Sequence, residues 1–483
     1  MEQKLMSLPA EEIFLSAEAL WPVPEAREIV RRRFEEEYRS FAAVVMALDD
    51  DPTGVQTVHD IHVLTSWEEE TLEEQFRSGE RLFFLLTNSR SLSAGDTVAL
   101  HREIAEHAGR AASAADRPLV VISRGDSTLR GHYPLETDTL RAALEAQGQP
   151  PFAGEWLCPF FREGGRFTLN GIHYVREGEQ LVPTAQTEFA RDRTFGYHHS
   201  RLAEYIVEKS GGRVQADQVV EVSLKALRSL AWEETERQLE SAPGFRYLVS
   251  DALEETDVMA MATILLRLMK KGRSFMIRSA AAVPKVLGHV SSRPLLSRKE
   301  MVDPDAAVGG LVIVGSHVRK TTAQLDVLRR SDRPIAFIEF RTEPWYPAAL
   351  QAETARVTAL AEQAMREGNT AVVYTSRRLV SPEGASPEEL LAISVRISAA
   401  LTAVVSSLSF RPRFLIAKGG ITSSDVGVKA LRVQKALVLG QAAPGIPVWR
   451  TGPESLFPGL SYIIFPGNVG GEDTLRSIVE TLT

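Results

Sequence analysis

An apolar run, Ala42–Leu48, ends in Asp49-Asp50-Asp51-Pro52-Thr53-Gly54. Three adjacent carboxylates at the end of a buried strand repel one another, and they are tolerated only beside Mg²⁺, a base or hydrogen-bond donors. One of them can act as general base toward a hydroxyl, and another can hold hydroxyls or a metal. A helix N-cap needs a single aspartate, so the triplet points to chemistry. Pro52 and Gly54 shape a tight turn beneath it. Ser123-Arg124-Gly125-Asp126-Ser127-Thr128-Leu129-Arg130-Gly131-His132 combines an acid, hydroxyls and arginines within a few residues. Arginine grips carboxylates bidentately, and an aspartate accepts from sugar hydroxyls or from an attacking hydroxyl. Thr87-Asn88-Ser89-Arg90-Ser91 is a further cationic turn. Arg162–Gly171, with Arg166 at its centre and Tyr174 behind it, reads equally as a solvated hairpin.

The second half of the chain carries glycines instead. Gly315-Ser316-His317 is followed by Arg319-Lys320-Thr321-Thr322. Lys418-Gly419-Gly420-Ile421-Thr422-Ser423 and Gly467-Asn468-Val469-Gly470-Gly471 form two more such turns. Glycines let backbone N–H groups converge on phosphate oxygens, and a following helix N-terminus adds favourable charge. Thr422 and Ser423 can donate further bonds, and Lys418 can offset charge. The GxxxxGK[ST] loop is absent, and no GxGxxG follows the first strand, which disfavours the P-loop and standard dinucleotide folds.

Apolar β-rich runs that end in these polar or glycine-rich turns, with helical stretches between them, imply parallel sheets covered on both faces. The runs are Ala42–Leu48, Leu82–Leu86, Leu119–Ile122, Tyr247–Val249 and Phe275–Ile277, then Leu311–Val314, Ile335–Ile338, Ala371–Tyr374, Phe414–Ala417 and Tyr462–Phe465. Each candidate cluster therefore falls at the carboxyl end of a strand, where open α/β sheets bind ligands. The mixed stretch from Lys285 to Gly310 is the best internal boundary. We expect an α/β protein of two domains, each a mainly parallel sheet flanked by helices, with a cleft between them. The domains span 42–285 and 308–483, behind a helical extension over 1–41. That extension includes an amphipathic Ala26–Tyr38 helix with Ile29, Val30 and Phe34 on one face, suited to packing or to contact between copies in a homo-oligomer.

Bulk properties narrow the function classes. A chain of 483 residues suggests more than one domain. A formal net charge of −8 argues against a general nucleic-acid binder. The one cysteine, Cys158, excludes an internal disulfide and a cysteine-rich zinc site, and it reads as a small buried hydrophobe. The adjacent His198-His199 lack a third ligand in sequence reach, so we assign no metal site. No apolar run approaches the about 20 residues needed to cross a bilayer, and the N-terminus lacks a signal-peptide core. The expectation is a cytoplasmic protein without a membrane partner.

These motifs, in this order over residues 42–478, resemble the four-carbon acid sugar kinase family. The family's ADDxTG opening appears as Asp49–Gly54, with Asp49 in place of alanine. DSTLRG is intact at Asp126–Gly131. Gly165-Arg166, Thr168, Gly171 and Tyr174 match a third motif. Gly315-Ser316, Gly419-Gly420-Ile421-Thr422 and Gly467–Gly471 match the nucleotide-domain turns, with Ile421 where an acid is common. The resemblance implies an N-terminal sugar-acid domain, a C-terminal nucleotide domain, and ATP with Mg²⁺ as cofactors. It implies that Asp126, Asp50 and Asp51 are catalytic, with Asp126 favoured as the base. Thr53, Arg90, Ser127, Arg130 and Arg166 then contact the substrate, whose carboxylate meets Arg90, Arg130 or Arg166. Ser316, Gly419, Gly420, Thr422, Gly467, Asn468 and Gly470 hold the nucleotide. Two other classes stay open at this point: an NAD(P)-dependent sugar-acid oxidoreductase and a non-catalytic sugar-acid binding protein.

Overall fold

Strands that are apolar on both faces must be covered on both faces, and the computed structural model arranges them so. It describes residues 6–302, 306–378, 380–382, 384, 386–467 and 469–483. The chain packs as two units, Met1–Asp50 with Trp67–Ser291, and Asp51–Ser66 with Ser292–Thr483.

In the first unit the strand order is Val219–Val222, Arg246–Ser250, Phe152–Cys158, Ser274–Ser279, Leu119–Arg124, Val44–Asp49 and Leu82–Leu86, every pairing parallel. Helices such as Ala94–Ala114, Leu135–Ala146 and Glu255–Lys270 connect and flank the strands. A separate small antiparallel sheet joins Leu8–Pro9, Gln180–Pro183, Ile172–Glu177 and Arg166–Leu169. The segment around Arg166 is therefore a hairpin, but not a solvated one: Phe167, Thr168 and His173 are buried.

The N-terminal helices belong to this unit. Ala26–Tyr38 buries Ala26, Val30, Phe34 and Tyr38, a four-residue spacing that makes one stripe, while Ile29 is only half-buried. The Tyr38 hydroxyl donates to the Leu287 carbonyl at 2.9 Å. Arg27 pairs with Glu254 at 2.9 Å.

In the second unit the order is Ile61–Leu64, Lys435–Ala443, Ile446–Thr451, Ser461–Phe465, Leu415–Lys418, Leu311–Val314, Thr370–Thr375 and Ile335–Phe340. The first three pairings are antiparallel and the rest parallel. Ile61–Leu64 lies in the N-terminal part of the sequence but clusters with this unit, because its backbone pairs with Lys435–Ala443. Val312, Val314, Phe414, Ile416, Ile463 and Phe465 form the core under the turns described next.

Candidate active site

Four neighbouring parallel strands of the first unit end in Arg278-Ser279, Arg124–Asp126, Asp49-Asp50 and Thr87–Arg90. The aspartate triplet is resolved by donors rather than gathered as one acidic cluster. Asp49 accepts from Arg124 Nη1 at 3.2 Å. Asp50 accepts from both Arg90 Nη2 at 2.6 Å and Nε at 3.0 Å, a bidentate pair. Asp51 accepts from the Thr53 backbone N–H at 2.8 Å and its hydroxyl at 2.6 Å. Asp51 and Thr53 cluster with the second unit, and Asp50 with the first.

Asp126 Oδ2 accepts from Arg130 Nε at 2.7 Å and from the Thr128 hydroxyl. Burial alone would raise its pKa. Arg90, Arg130 and these hydrogen bonds outweigh that and hold the carboxyl well below the usual carboxylate range. Burial wins at Asp50 and raises it despite Arg90. The Asp126 side chain keeps 13% exposure against 2% for Asp50, so Asp126 is the more accessible to a ligand.

The loop that carries Asp126 is fixed by its carbonyls. Ser127, itself buried, accepts at its carbonyl from His173 Nε2 at 2.8 Å. The carbonyls of Thr128 and Leu129 accept from the hydroxyls of Tyr197 and Tyr205, each at 2.8 Å. Burial lowers His173 to about 4. Its ring is therefore neutral, donating through Nε2 while Nδ1 accepts from Thr168 at 3.0 Å. Leu129 has φ +69°, a left-handed conformation that a bulky residue holds only where its surroundings enforce it.

Behind the loop, Arg278 is buried and donates through Nη1 to Ser123 at 2.7 Å and to Glu136. Gly131, at φ +132°, leaves room for Arg278 Nη2, which lies 3.0 Å from where a Cβ would sit, and Asp50 Oδ2 lies 3.4 Å from the same point. Burial alone would raise Glu136, but Arg278 and His101 hold it down to about 2.

Arg166 differs from the other arginines. Among the described residues its side chain makes no hydrogen bond or ion pair and its enclosed Nε has no partner; burial lowers its pKa, with the nearby Asp126 opposing. Its guanidinium stands 5.6 Å from the Phe189 ring centre, the ring that Arg130 faces at 5.1 Å.

In the second unit the glycine turns converge. They follow Leu311–Val314, Leu415–Lys418 and Ser461–Phe465, which are neighbours in the sheet. Ser316 stands between two of them: a Cβ on Gly419 would lie 3.1 Å from Ser316 Cβ, and one on Gly467 would lie 3.1 Å from Ser316 Oγ. Gly419 has φ +124°, and Thr422 Oγ1 is 3.2 Å from the same added Cβ. The helix Gly420–Asp425 starts here, and Asp51 Oδ2 is 4.0 Å from a Cβ on Gly420. Thr321 ties the turns together, donating to the Gly467 carbonyl at 3.1 Å and to Ser316 Oγ at 3.2 Å. Gln324 Nε2 holds the carbonyls of Val469 at 3.1 Å and Gly471 at 2.8 Å. Gly470 has φ +80°. Asn468 lies outside the described residues.

Lys418 reaches the base of the Pro466-Gly467 turn. Fully buried, it donates to the Pro466 carbonyl at 2.7 Å, and its ammonium sits 3.9 Å from the Phe465 ring centre. Burial, with Lys320 adding repulsion, lowers it to about 7.

The structure thus brings together Asp50, Asp126, Arg90, Ser127 and Arg130 in one unit, with Arg166 facing the shared Phe189 ring. It brings together Ser316, Gly419, Gly420, Thr422, Gly467, Asp51 and Thr53 in the other. The sequence reading made no site residues of Glu136, His173, Tyr197 and Tyr205, and it noted Arg278 only as the residue that closes the apolar run Phe275–Ile277. His198 and His199 both pair with Glu208, at 2.8 and 2.7 Å. Among the described residues no group of three or more His, Cys, Asp or Glu is placed to hold a metal. No described helix is long and apolar enough to cross a membrane.

Residues 45–287 match the family model described as "Sugar-binding N-terminal domain", and residues 311–475 match "Nucleotide-binding C-terminal domain". The chain belongs to the four-carbon acid sugar kinase family. Membership assigns a sugar-binding role to the half with the acid–arginine site and a nucleotide-binding role to the half with the glycine turns. Among solved structures, a Haemophilus influenzae protein of the DUF1537 family is similar at 15% identity and TM-score 0.59, over 91% of this chain and all of that one. A Salmonella typhimurium protein labelled a tRNA synthase is similar at 17% identity and TM-score 0.63, over 90% of this chain and 98% of that one. At these identities the likeness shows the shared fold. No curated protein matches the chain.

Proposed function

We propose that this protein is an ATP-dependent kinase that phosphorylates a hydroxyl of a four-carbon, or related branched or oxo, sugar acid. The observation that carries the reading is the charge balance of the first unit. Arg124 is matched by Asp49, Arg90 by Asp50, Arg130 by Asp126 and Arg278 by Glu136. Among the described residues Arg166 forms no ion pair; Asp126 is near enough to favour its charge but already pairs with Arg130, so the Arg166 guanidinium suits one carboxylate on the substrate.

Arg166 binds and orients that carboxylate. Asp126 accepts the hydrogen bond of the reacting hydroxyl and takes its proton as the O–P bond forms and the bond to the departing β-phosphate oxygen breaks. Its low pKa suits a loose transition state, in which orientation of the nucleophile matters more than strong basicity. Asp50, locked by Arg90, helps hold the remaining hydroxyls.

Glycine turns that pack closely around Ser316, with Gly419 at a positive φ, suit a phosphate cradle. There Ser316, Gly419, Gly420, Thr422, Gly467, Asn468 and Gly470 would hold ATP. Asp51, beside Gly420, would be the carboxylate to meet Mg²⁺, an ion that takes one or two carboxylates together with substrate phosphates. ATP supplies the phosphoryl group and Mg²⁺ neutralises its charge.

A coupled ADP-release assay with MgATP against C4 and C5 sugar acids, their oxo forms and the matching neutral polyols tests the reading. Turnover on an acid and none on its neutral counterpart is expected. Equal turnover on the neutral compounds, or no ADP release together with no MgATP-induced thermal shift, contradicts it.

A further inference from the structure

Arg377, two residues beyond the Thr370–Thr375 strand, is the counterpart of Arg166 in the second unit. That strand pairs in parallel with Leu311–Val314, so the turn at Ser376-Arg377 sits beside the turn at Gly315-Ser316. The two turns are tied in both directions. Arg377 Nη2 donates to the Ser316 carbonyl and to the Thr322 hydroxyl, each at 2.8 Å. His317 Nε2 meets the Ser376 carbonyl at 3.1 Å.

The remainder of the guanidinium is unsatisfied. Among the described residues Nε and Nη1 are both enclosed and have no hydrogen-bond partner, and Arg377 forms no salt bridge. Burial lowers its pKa, with Asp326 opposing weakly and Arg329 adding repulsion. A half-enclosed cation with two idle nitrogens costs the free protein stability, unless an anion arrives nearby to balance the charge.

The covalent geometry says where that balance acts. In a planar trans peptide the carbonyl and the following N–H point in opposite directions. With the Ser316 carbonyl held on the Arg377 side, the His317 N–H is turned the other way. Arg377 therefore fixes a backbone donor at the turn on which Gly419 and Gly467 converge, and it adds a positive charge beneath that turn.

Resting on the nucleotide reading of the Ser316 turn, we propose that Arg377 is a positioning and charge-selecting residue. It sets the Ser316–His317 peptide and makes the site prefer the polyphosphate of ATP over less charged adenine compounds.

The test is calorimetric titration of MgATP, AMP and adenosine into the full chain and into Arg377→Gln and Arg377→Lys, with thermal melts of each without ligand. Glutamine can still donate to the Ser316 carbonyl but carries no charge. We expect Arg377→Gln to weaken ATP by about ten- to a hundredfold, to leave adenosine unchanged, and to melt no lower than wild type. Arg377→Lys keeps most of the preference for ATP over adenosine. The inference is overturned if both variants lose ATP and adenosine equally and melt lower, as a purely structural tie would behave. It is also overturned if Arg377→Gln binds ATP as wild type does. A wild-type chain that binds no MgATP would instead remove the nucleotide reading beneath it, so the two failures are distinguishable.

Discussion

In the first unit the ends of four neighbouring parallel strands carry charged side chains: Arg278, Arg124 with Asp126, Asp49 with Asp50, and Arg90. In the second unit four neighbouring parallel strands end in Gly467, Gly419-Gly420, Gly315-Ser316 and Arg377. The first site is a lattice of ion pairs, bidentate where the geometry allows. The second is almost bare backbone, with buried Lys418 holding the Pro466 and Gly467 carbonyls. A sugar acid offers hydroxyls and one carboxylate at defined angles, and side chains meet those one by one. A polyphosphate offers diffuse charge over many oxygens, which converging N–H groups meet better. Each site keeps one arginine that forms no ion pair among the described residues, Arg166 in one and Arg377 in the other.

The comparison breaks most easily at Asp126. Asp126→Asn keeps the shape but loses the proton acceptor, and should lower kcat by roughly 10²–10⁴-fold while MgATP affinity is unchanged by calorimetry. Loss of both would mean the two sites are not separable. Next in size is Glu136→Gln, which strips the countercharge from buried Arg278. Breaking one side of such a pair should cost about 3–5 kcal/mol, read as a fall in urea midpoint. An unchanged midpoint would mean that Arg278 is not held by charge.

Gly419→Ala places a Cβ against Ser316 and Thr422 at a left-handed backbone position. A strain of about 1–3 kcal/mol should weaken ATP by at least about tenfold and spare sugar-acid binding. Arg166→Met should raise KM for the sugar acid by about ten- to a hundredfold. It should not lower the melting temperature, because among the described residues the arginine has no hydrogen bond or ion pair to lose and methionine can still pack on the Phe189 ring. A lower melting temperature with unchanged KM would make Arg166 structural.

The smallest effect concerns pH. Lys418 is held at about 7 in the folded chain, against an ordinary value of 10.5. Between those values the unfolded chain binds more protons than the folded one, so stability rises with pH across that window. Lys418→Met should flatten the profile of urea midpoint against pH there. An unaltered profile would mean that Lys418 is not the group responsible.

Much of this contrast was legible from residues alone, because buried parallel strands read as uninterrupted apolar runs. Leu82–Leu86 and Leu311–Val314 fall where their sequence places them. The strand Phe152–Cys158 did not stand out, because Gly154 and Glu155 interrupt it. Glu155 is buried there beside Thr137 and the Tyr133 hydroxyl, which lies 22 residues away and donates to it at 2.7 Å. Ile61–Leu64 joins the second unit through pairing with Lys435–Ala443, a partner far along the chain that local pattern cannot supply.

Within the site, Asp126 and Arg130 pair at a spacing of four residues, so their motif is readable. Arg278 and Glu136 meet across 142 residues, and Arg377 meets Ser316 across 61. Single residues at such separations carry no local signature. The triplet at 49–51 was visible as a site but not as a division: its members turn to Arg124, Arg90 and Thr53, and the chain passes from one unit to the other between Asp50 and Asp51.

The measurement closest to the central claim is calorimetric titration of MgATP into wild type, Arg166→Met and Gly419→Ala side by side, each first shown to be folded by its thermal melt. If side chains serve the sugar acid and glycine turns serve the nucleotide, wild type and Arg166→Met bind MgATP alike and Gly419→Ala binds it at least about tenfold more weakly. Weakened binding in Arg166→Met, or wild-type binding in Gly419→Ala, would contradict that division of labour.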